Sequence, residues 1–328
     1  MLNALRRPLS PEAYRRITVG ALAFLVLIVV TGAGVRLTGS GLGCTDWPNC
    51  TDERFAAEWS LHPMVEFVNR LITGLVSAAV ALAVLGSLRR VPRRRDLVWL
   101  SWGLVAGVLA QIVLGGIVVL SHLNPWLVQG HFVLSMLLVL DAVILCHRAG
   151  LPDPPVERPV VTPALLRWGW ALVGLASVVI LTGTLVTGAG PHSGTSRGDD
   201  KVQRLPITAH DAARIHGLTM IVFLAATIWV LVQLQRHGAP ERLRHNGTRL
   251  LTVLVLQAGV GYAQYFTGVP PLLVALHILG ASLVWMSVLW FALGMREPLS
   301  PAPPGPRDSD HGTDRADDRS DGDLVTGP

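Results

Sequence analysis

The chain has 328 residues, 51% of them hydrophobic and only 15% charged, with a mean hydropathy of +0.48. These values exclude an ordinary soluble domain. The net charge of +5 follows the loops on one side of the apolar runs, so it reads as membrane topology and excludes nucleic acid as a partner.

Eight apolar runs reach the roughly 20 residues a helix needs to cross a bilayer core: about 17–36, 65–88, 97–120, 126–147, 165–187, 208–235, 248–268 and 271–294. The first has an Arg-rich flank like a secretory signal. It is long for one and no small-residue cleavage site follows it, so it reads as a retained helix. Helices satisfy their own backbone in lipid, and the predicted fold is all-α: a polytopic membrane protein with eight transmembrane helices. Gln111-Ile-Val-Leu-Gly115, Pro125 and His131 recur as Gln257-Ala-Gly-Val-Gly261, Pro271 and His277, each 146 residues on. That register predicts two tandem four-helix bundles related by duplication.

The expected divisions are a cytoplasmic N-terminal arm at 1–16, an N-terminal repeat at 17–148, a cytoplasmic linker at 149–164, a C-terminal repeat at 165–296 and a disordered cytoplasmic tail at 297–328. The tail is rich in Pro, Asp, Arg, Ser and Gly and has almost nothing to bury. Arg6, Arg7, Arg15 and Arg16 in the arm, and Arg89 to Arg95 in the next loop on that side, predict a cytoplasmic location for both termini. In this topology Cys44 and Cys50 fall in the first external loop, where an oxidising compartment permits a disulfide. A loop staple and a redox-active pair both stand open. Cys146 sits at the cytoplasmic end of helix four.

Ionisable residues are costly inside a membrane, so their depth is informative. Pro125 and Pro271 are placed to start helices four and eight. Six residues at about 1.5 Å each then put His131 and His277 roughly 9 Å into the membrane. Pro63 precedes Asn69 by the same six residues, and helix six reaches His216 after Pro206. Four even-numbered helices therefore bring Asn69, His131, His216 and His277 to the outer half. Two histidines from facing helices hold a haem iron between them, and His216 with His277 is the expected pair. A zinc site would want a more compact donor set. The bland reading makes each histidine a polar interhelical contact.

Glu66, Asn69 and Arg70 share one face of helix two at i, i+3 and i+4. Either Glu66 and Arg70 form a neutralising ion pair, or the carboxylate is set for proton transfer beside a substrate. Arg36 and Arg214 lie on the same outer side and suit haem propionates, because guanidinium forks onto carboxylate; plain interface anchoring is the alternative. His62, His122 and His192 are in external loops, while His147, His237 and His245 are on the cytoplasmic side and His311 in the tail. Gly103 and Gly107 are spaced for close helix packing, and Gln111 and Gln257 have no assigned role.

Gly34-Val-Arg-Leu-Thr-Gly-Ser-Gly-Leu-Gly-Cys44-Thr-Asp-Trp-Pro-Asn-Cys50 resembles the first-loop signature of the haem A synthase family. The likeness continues through Glu66, Arg70, the Gln111-Gly115-Gly116 pattern, His131, His216 and His277. It implies an oxidoreductase that converts haem O to haem A, oxidising a porphyrin methyl group to a formyl group for use by cytochrome oxidase. It further implies that His216 and His277 ligate the iron of a retained haem b that relays electrons. His131, with Asn69 and Arg70, would contact the substrate haem, Glu66 would be the catalytic carboxylate and Cys44 with Cys50 a disulfide. An upstream haem O synthase, cytochrome oxidase assembly factors, membrane lipid and an unknown electron donor are the implied partners. The implied location is the plasma membrane, multi-pass, with the active side toward the exterior.

Asn69 departs from the pattern: many relatives have histidine in a Glu-x-x-His-Arg segment. Asparagine is a poor iron ligand, so the N-terminal site is expected to hold haem through His131 alone. Two other classes compete. A b-type cytochrome for membrane electron transfer would want two complete ligand pairs, which Asn69 breaks. A haem or small-molecule transporter would want inverted or alternating access, whereas both repeats here run the same way and the polar cluster lies near one face.

Overall fold

A computed structural model describes residues 8–195 and 202–299. The helices are α1 (Pro11–Leu37), α2 (Leu61–Arg89), α3 (Arg95–Leu120), α4 (Pro125–Ala149), α5 (Pro163–Ala189), α6 (Ala209–Arg236), α7 (Glu241–Phe266) and α8 (Pro271–Leu293). Two short strands, β1 (Glu157–Pro159) and β2 (Arg296–Pro298), pair antiparallel with Arg158 opposite Glu297. Most of the expected tail, including His311, lies outside the described residues. Its first two residues, Glu297 and Pro298, belong to β2, because the strand pair gives their backbone partners in the 149–164 linker.

Local chemistry sets the helix starts. Ser10, Asn124, Thr162 and Thr208 each accept a backbone N–H of the first turn, and Pro11, Pro125 and Pro163 stand where a missing N–H costs nothing. Pro271 opens α8 in the same way. At α6 the cap is reciprocal: Thr208 accepts from the Asp211 N–H at 3.0 Å and donates to its carboxylate at 2.6 Å. α1 begins six residues before the apolar run, inside the expected arm, because buried Tyr14 hydrogen-bonds Ser101 of α3 at 2.9 Å.

Seven of the helices are long and apolar enough to cross a membrane, which makes the chain a multi-pass membrane protein. α7 is the other helix. Its first nine residues include Glu241, Arg242, Arg244, His245 and Arg249, and it becomes apolar only from Leu250 onward. The helix thus begins seven residues before the apolar run expected at about 248–268.

Each set of four helices closes a ring: α1 packs on α2 and α4, and α3 on the same two, while α5 packs on α6 and α8, and α7 on the same two. Between the sets, α1 meets α8, α5 meets α4, and α4 meets α8. Exchanging the sets turns the first contact into the second and the third into itself, the pattern of a two-fold axis between α4 and α8. Two apolar cores follow. One lies among α1 to α4 around Val76, Leu104, Val108 and Leu145; the other gathers α5 to α8 with one face of α4, through Met136, Val139, Phe223, Leu254 and Trp285. The Trp285 indole donates to the Met136 carbonyl at 2.9 Å, and Thr184 donates to Gln129 at 3.1 Å, so polar bonds also cross the seam.

The end of the first ring where α2 runs into α3 is held by charge. Arg90, whose side chain is 0% exposed, donates to Asp153 at 2.7 Å, and Asp96 accepts from Arg94 at 2.6 Å and Arg148 at 2.7 Å. Asp153→Ala leaves a buried guanidinium unpaired, which is expected to cost about 3–5 kcal/mol. Thermal unfolding in detergent should show a clearly lowered midpoint, and an unchanged midpoint would remove the pair's structural role.

Candidate functional site

The C-terminal ring brings two of the expected ligands together. His216 of α6 and His277 of α8 have ring centroids 6.3 Å apart, with planes at 77°. Two imidazoles bonded at about 2.0–2.1 Å on opposite sides of one metal have centroids roughly 6 Å apart. The separation therefore suits a shared iron. The His216 Nδ1 donates to the Val179 carbonyl at 3.1 Å and lies 3.3 Å from the Thr182 hydroxyl. A proton held on Nδ1 leaves Nε2 with its lone pair free, as a ligand requires.

Small residues on the neighbouring helices make room for the rings. A methyl group at Gly183 of α5 would lie 3.2 Å from His216 Cε1, and one at Gly261 of α7 would lie 3.0 Å from His277 Cε1. Gly115 of α3 does the same for His131 of α4, at 3.3 Å. The Nδ1 atoms of His131 and His277 are buried with no partner among the described residues. Gln111 and Gln257, unassigned from sequence, donate to the backbone carbonyls of His131 at 3.0 Å and His277 at 2.8 Å. The same device thus fixes α4 to α3 and α8 to α7 at equivalent depth.

The N-terminal ring keeps the histidine and loses its counterpart. Asn69 stands on α2 with its Oδ1 buried and unpartnered among the described residues. Thr31-Gly32 of α1 matches Thr182-Gly183 of α5, yet a methyl group at Gly32 would meet nothing within 4 Å, while Gly183 carries the His216 ring.

Glu66 and Arg70 are joined, and both are engaged with the loop between α1 and α2. Cys44 and Cys50 form a disulfide. Glu66 is buried; its Oε2 accepts the Cys44 N–H at 2.9 Å and its Oε1 accepts from Arg70 at 2.6 Å. Arg70 also donates to the carbonyls of Asp46 at 3.1 Å, Asn49 at 2.9 Å and Pro48 at 3.3 Å. The ion pair considered from the sequence is present, and it braces the disulfide loop. Sequence spacing foresaw the Glu66–Arg70 partnership but contained no signal for the loop carbonyls, which lie 21 to 24 positions away.

The arginines separate. Arg36 donates to the Thr187 carbonyl at 3.0 Å, spanning the C-terminal ends of α1 and α5, and its Nε is buried without a partner among the described residues. Arg214 is exposed on α6. His62, expected in a loop, lies in the first turn of α2 and pairs with Ser40 at 3.0 Å, while His192 pairs with the Val269 carbonyl at 2.8 Å. Among the described residues no group of three or more His, Cys, Asp or Glu is arranged to hold a bare metal ion.

Known proteins are similar to this sequence, some of them over most of its length. A relative from Caulobacter sp. (strain K31), named Heme A synthase, is 27% identical over 342 residues, covering 88% of this chain and 97% of its own. One of the same name from Halalkalibacterium halodurans is 24% identical over 282 residues, covering 82% and 92%. Another, from Lysinibacillus sphaericus, is 29% identical over 171 residues, covering 51% of this chain and 56% of that protein. The model of the COX15-CtaA family, described as Cytochrome oxidase assembly protein, matches residues 15–61 and 56–289. With its eight helices and duplicated histidine positions inside the matched region, the chain belongs to the COX15-CtaA family.

Proposed function

We propose that this chain is a haem A synthase, oxidising a methyl group of haem O to a formyl group, with a haem b retained in the C-terminal half. The observation that carries this reading is the asymmetry of the two rings: a paired His216 and His277 in one, and His131 with Asn69 in the other. Residues 17–148 then form the substrate half and 165–296 the haem b half. Both termini face the cytoplasm, and the sites lie toward the exterior. Haem O, an electron donor and the recipients of haem A in cytochrome oxidase assembly are the partners.

The residues present fit such groups. The ring separation of His216 and His277, the glycines under three imidazoles and the unpartnered Nδ1 atoms of His131 and His277 are what haem-binding helices need. Bound haem supplies the oxidising power for a methyl group that no side chain activates. His216 and His277 would hold the retained haem. His131 holds the substrate from one side and Asn69 leaves the other side open, offering its buried Oδ1 as a hydrogen-bond acceptor. Glu66 is the proposed proton acceptor; its charge is balanced by Arg70, so taking up a proton loosens the bond that braces the loop. Arg36 and Arg214 are the proposed propionate contacts.

The direct test is expression in a host supplied with haem O, followed by pigment extraction and chromatography. Haem A is expected, and its absence in a host whose other assembly steps work would sink the reading. Asn69→His tests the open side: haem bound in the N-terminal half should shift toward a six-coordinate low-spin spectrum, and an unchanged spectrum would count against a ligand-free face at position 69.

A further inference from the structure

The first external loop presents one large side chain to the N-terminal ring, and its surroundings are built around that side chain. Trp47 stands between Asp46 and Pro48, whose carbonyls, with that of Asn49, are all held by Arg70. The Cys44–Cys50 disulfide closes the same loop and Glu66 holds its first N–H. The Trp47 indole lies flat on Gly116 of α3: a methyl group there would come within 2.7 Å of Cδ2, 3.0 Å of Cε2 and 3.1 Å of Cε3. The preceding residue, Gly115, is the one that supports the His131 ring. Trp47 and His131 therefore rest on adjacent positions of one helix.

The duplication supplies an internal comparison. Moving 146 positions on, Gly115 becomes Gly261, which supports His277, so the histidine support is kept. Gly116 becomes Tyr262, which is 54% exposed. Gly116 is thus the exception, and what it accommodates is an indole from a loop held by a disulfide and an arginine. The two halves differ in the same sense in the proposed function: one retains its haem, the other has to admit and release a large flat molecule.

The geometry points to Trp47 as a specificity-determining residue of the N-terminal site, its indole forming a wall against the substrate porphyrin beside His131. The loop's disulfide and the Glu66–Arg70 pair hold that wall in place. This inference rests on the reading of the N-terminal half as the substrate site. An indole offers a broad, rigid apolar face suited to a porphyrin.

The test is a spectral titration of detergent-solubilised protein, carrying its retained haem b, with haem O and separately with iron protoporphyrin. Trp47→Ala is expected to weaken binding about tenfold, the effect of losing one well-packed aromatic contact. Trp47→Phe, which keeps a ring, should stay within about threefold of wild type. Gly116→Ala pushes the indole off α3 while leaving residue 47 unchanged, and should weaken binding as Trp47→Ala does. Haem b content should be unaltered in all three, which a general packing defect would not allow. Wild-type affinity in both Trp47→Ala and Gly116→Ala would overturn the proposal, as would a Phe variant as weak as the Ala variant. If Trp47→Ala does not fold, the Phe and Gly116 variants carry the same decision. His131→Ala, titrated alongside, separates the two levels: unaffected binding there would overturn the N-terminal site itself, whatever Trp47 does.

Discussion

His277→Ala is expected to strip the retained haem from the purified protein, seen as loss of its low-spin absorption bands and of haem per polypeptide. The ring of His277 lies on Gly261 and faces His216 at a centroid distance of 6.3 Å. Removing it would take away one of the two proposed protein ligands to the iron. Changing a residue that merely supports a metal ligand costs roughly 10–100-fold in affinity, and removing the ligand should exceed that. His216→Ala should behave alike. Thr182→Val is the graded control: it deletes the hydroxyl 3.3 Å from His216 Nδ1 but leaves the bond to the Val179 carbonyl, so haem should be retained within about tenfold. A full haem complement in His277→Ala would remove the ligand assignment, and with it the asymmetry between the halves.

The second large effect is expected at Glu66. Glu66→Gln keeps an oxygen to accept the Cys44 N–H but gives up the charge that Arg70 balances. If the carboxylate carries a proton in the reaction, conversion of haem O should fall about 10²-fold or more, within the range for general acid–base groups, while haem b stays bound. If Glu66 only braces the loop, the Gln variant should keep activity within about tenfold, and that result would sink the proton role. Arg70→Lys distinguishes the brace from the charge, since an ammonium cannot match the fork that reaches Asp46, Pro48 and Asn49. The expected outcome is a disordered loop with haem b retained, read as faster cleavage of the loop by an added protease.

Much of the architecture was legible because membrane helices are written locally. Apolar length marked eight spans, seven of which fall on helices of 23 to 29 residues apolar enough to cross a membrane, and Pro125 and Pro271 start α4 and α8 at the positions expected of them. The 146-residue register placed His131 and His277 at equivalent depth, which Gln111 and Gln257 then confirm by bonding the same carbonyl in each copy. Asn69 was visible as a departure. The beginning of α1 was not, because Tyr14 is drawn into the fold by Ser101, 87 residues away. The α7 run was recognised by its apolar C-terminal part, and the polar turns that precede it belong to the same helix.

What the sequence determined by itself was therefore periodic or repeated: the spans, the duplication, the order of the histidines and the one position where the copies disagree. These depend on side-chain polarity and spacing along a single helix, which the chain carries residue by residue. Only the tertiary structure decided which groups meet. It set His216 beside His277 with its Nδ1 on Val179, put one oxygen of Glu66 on the Cys44 N–H of the disulfide loop, and laid Trp47 on Gly116. Each of these joins segments far apart in the chain, and their partners are mostly backbone atoms or glycines, which have no side-chain signature to read.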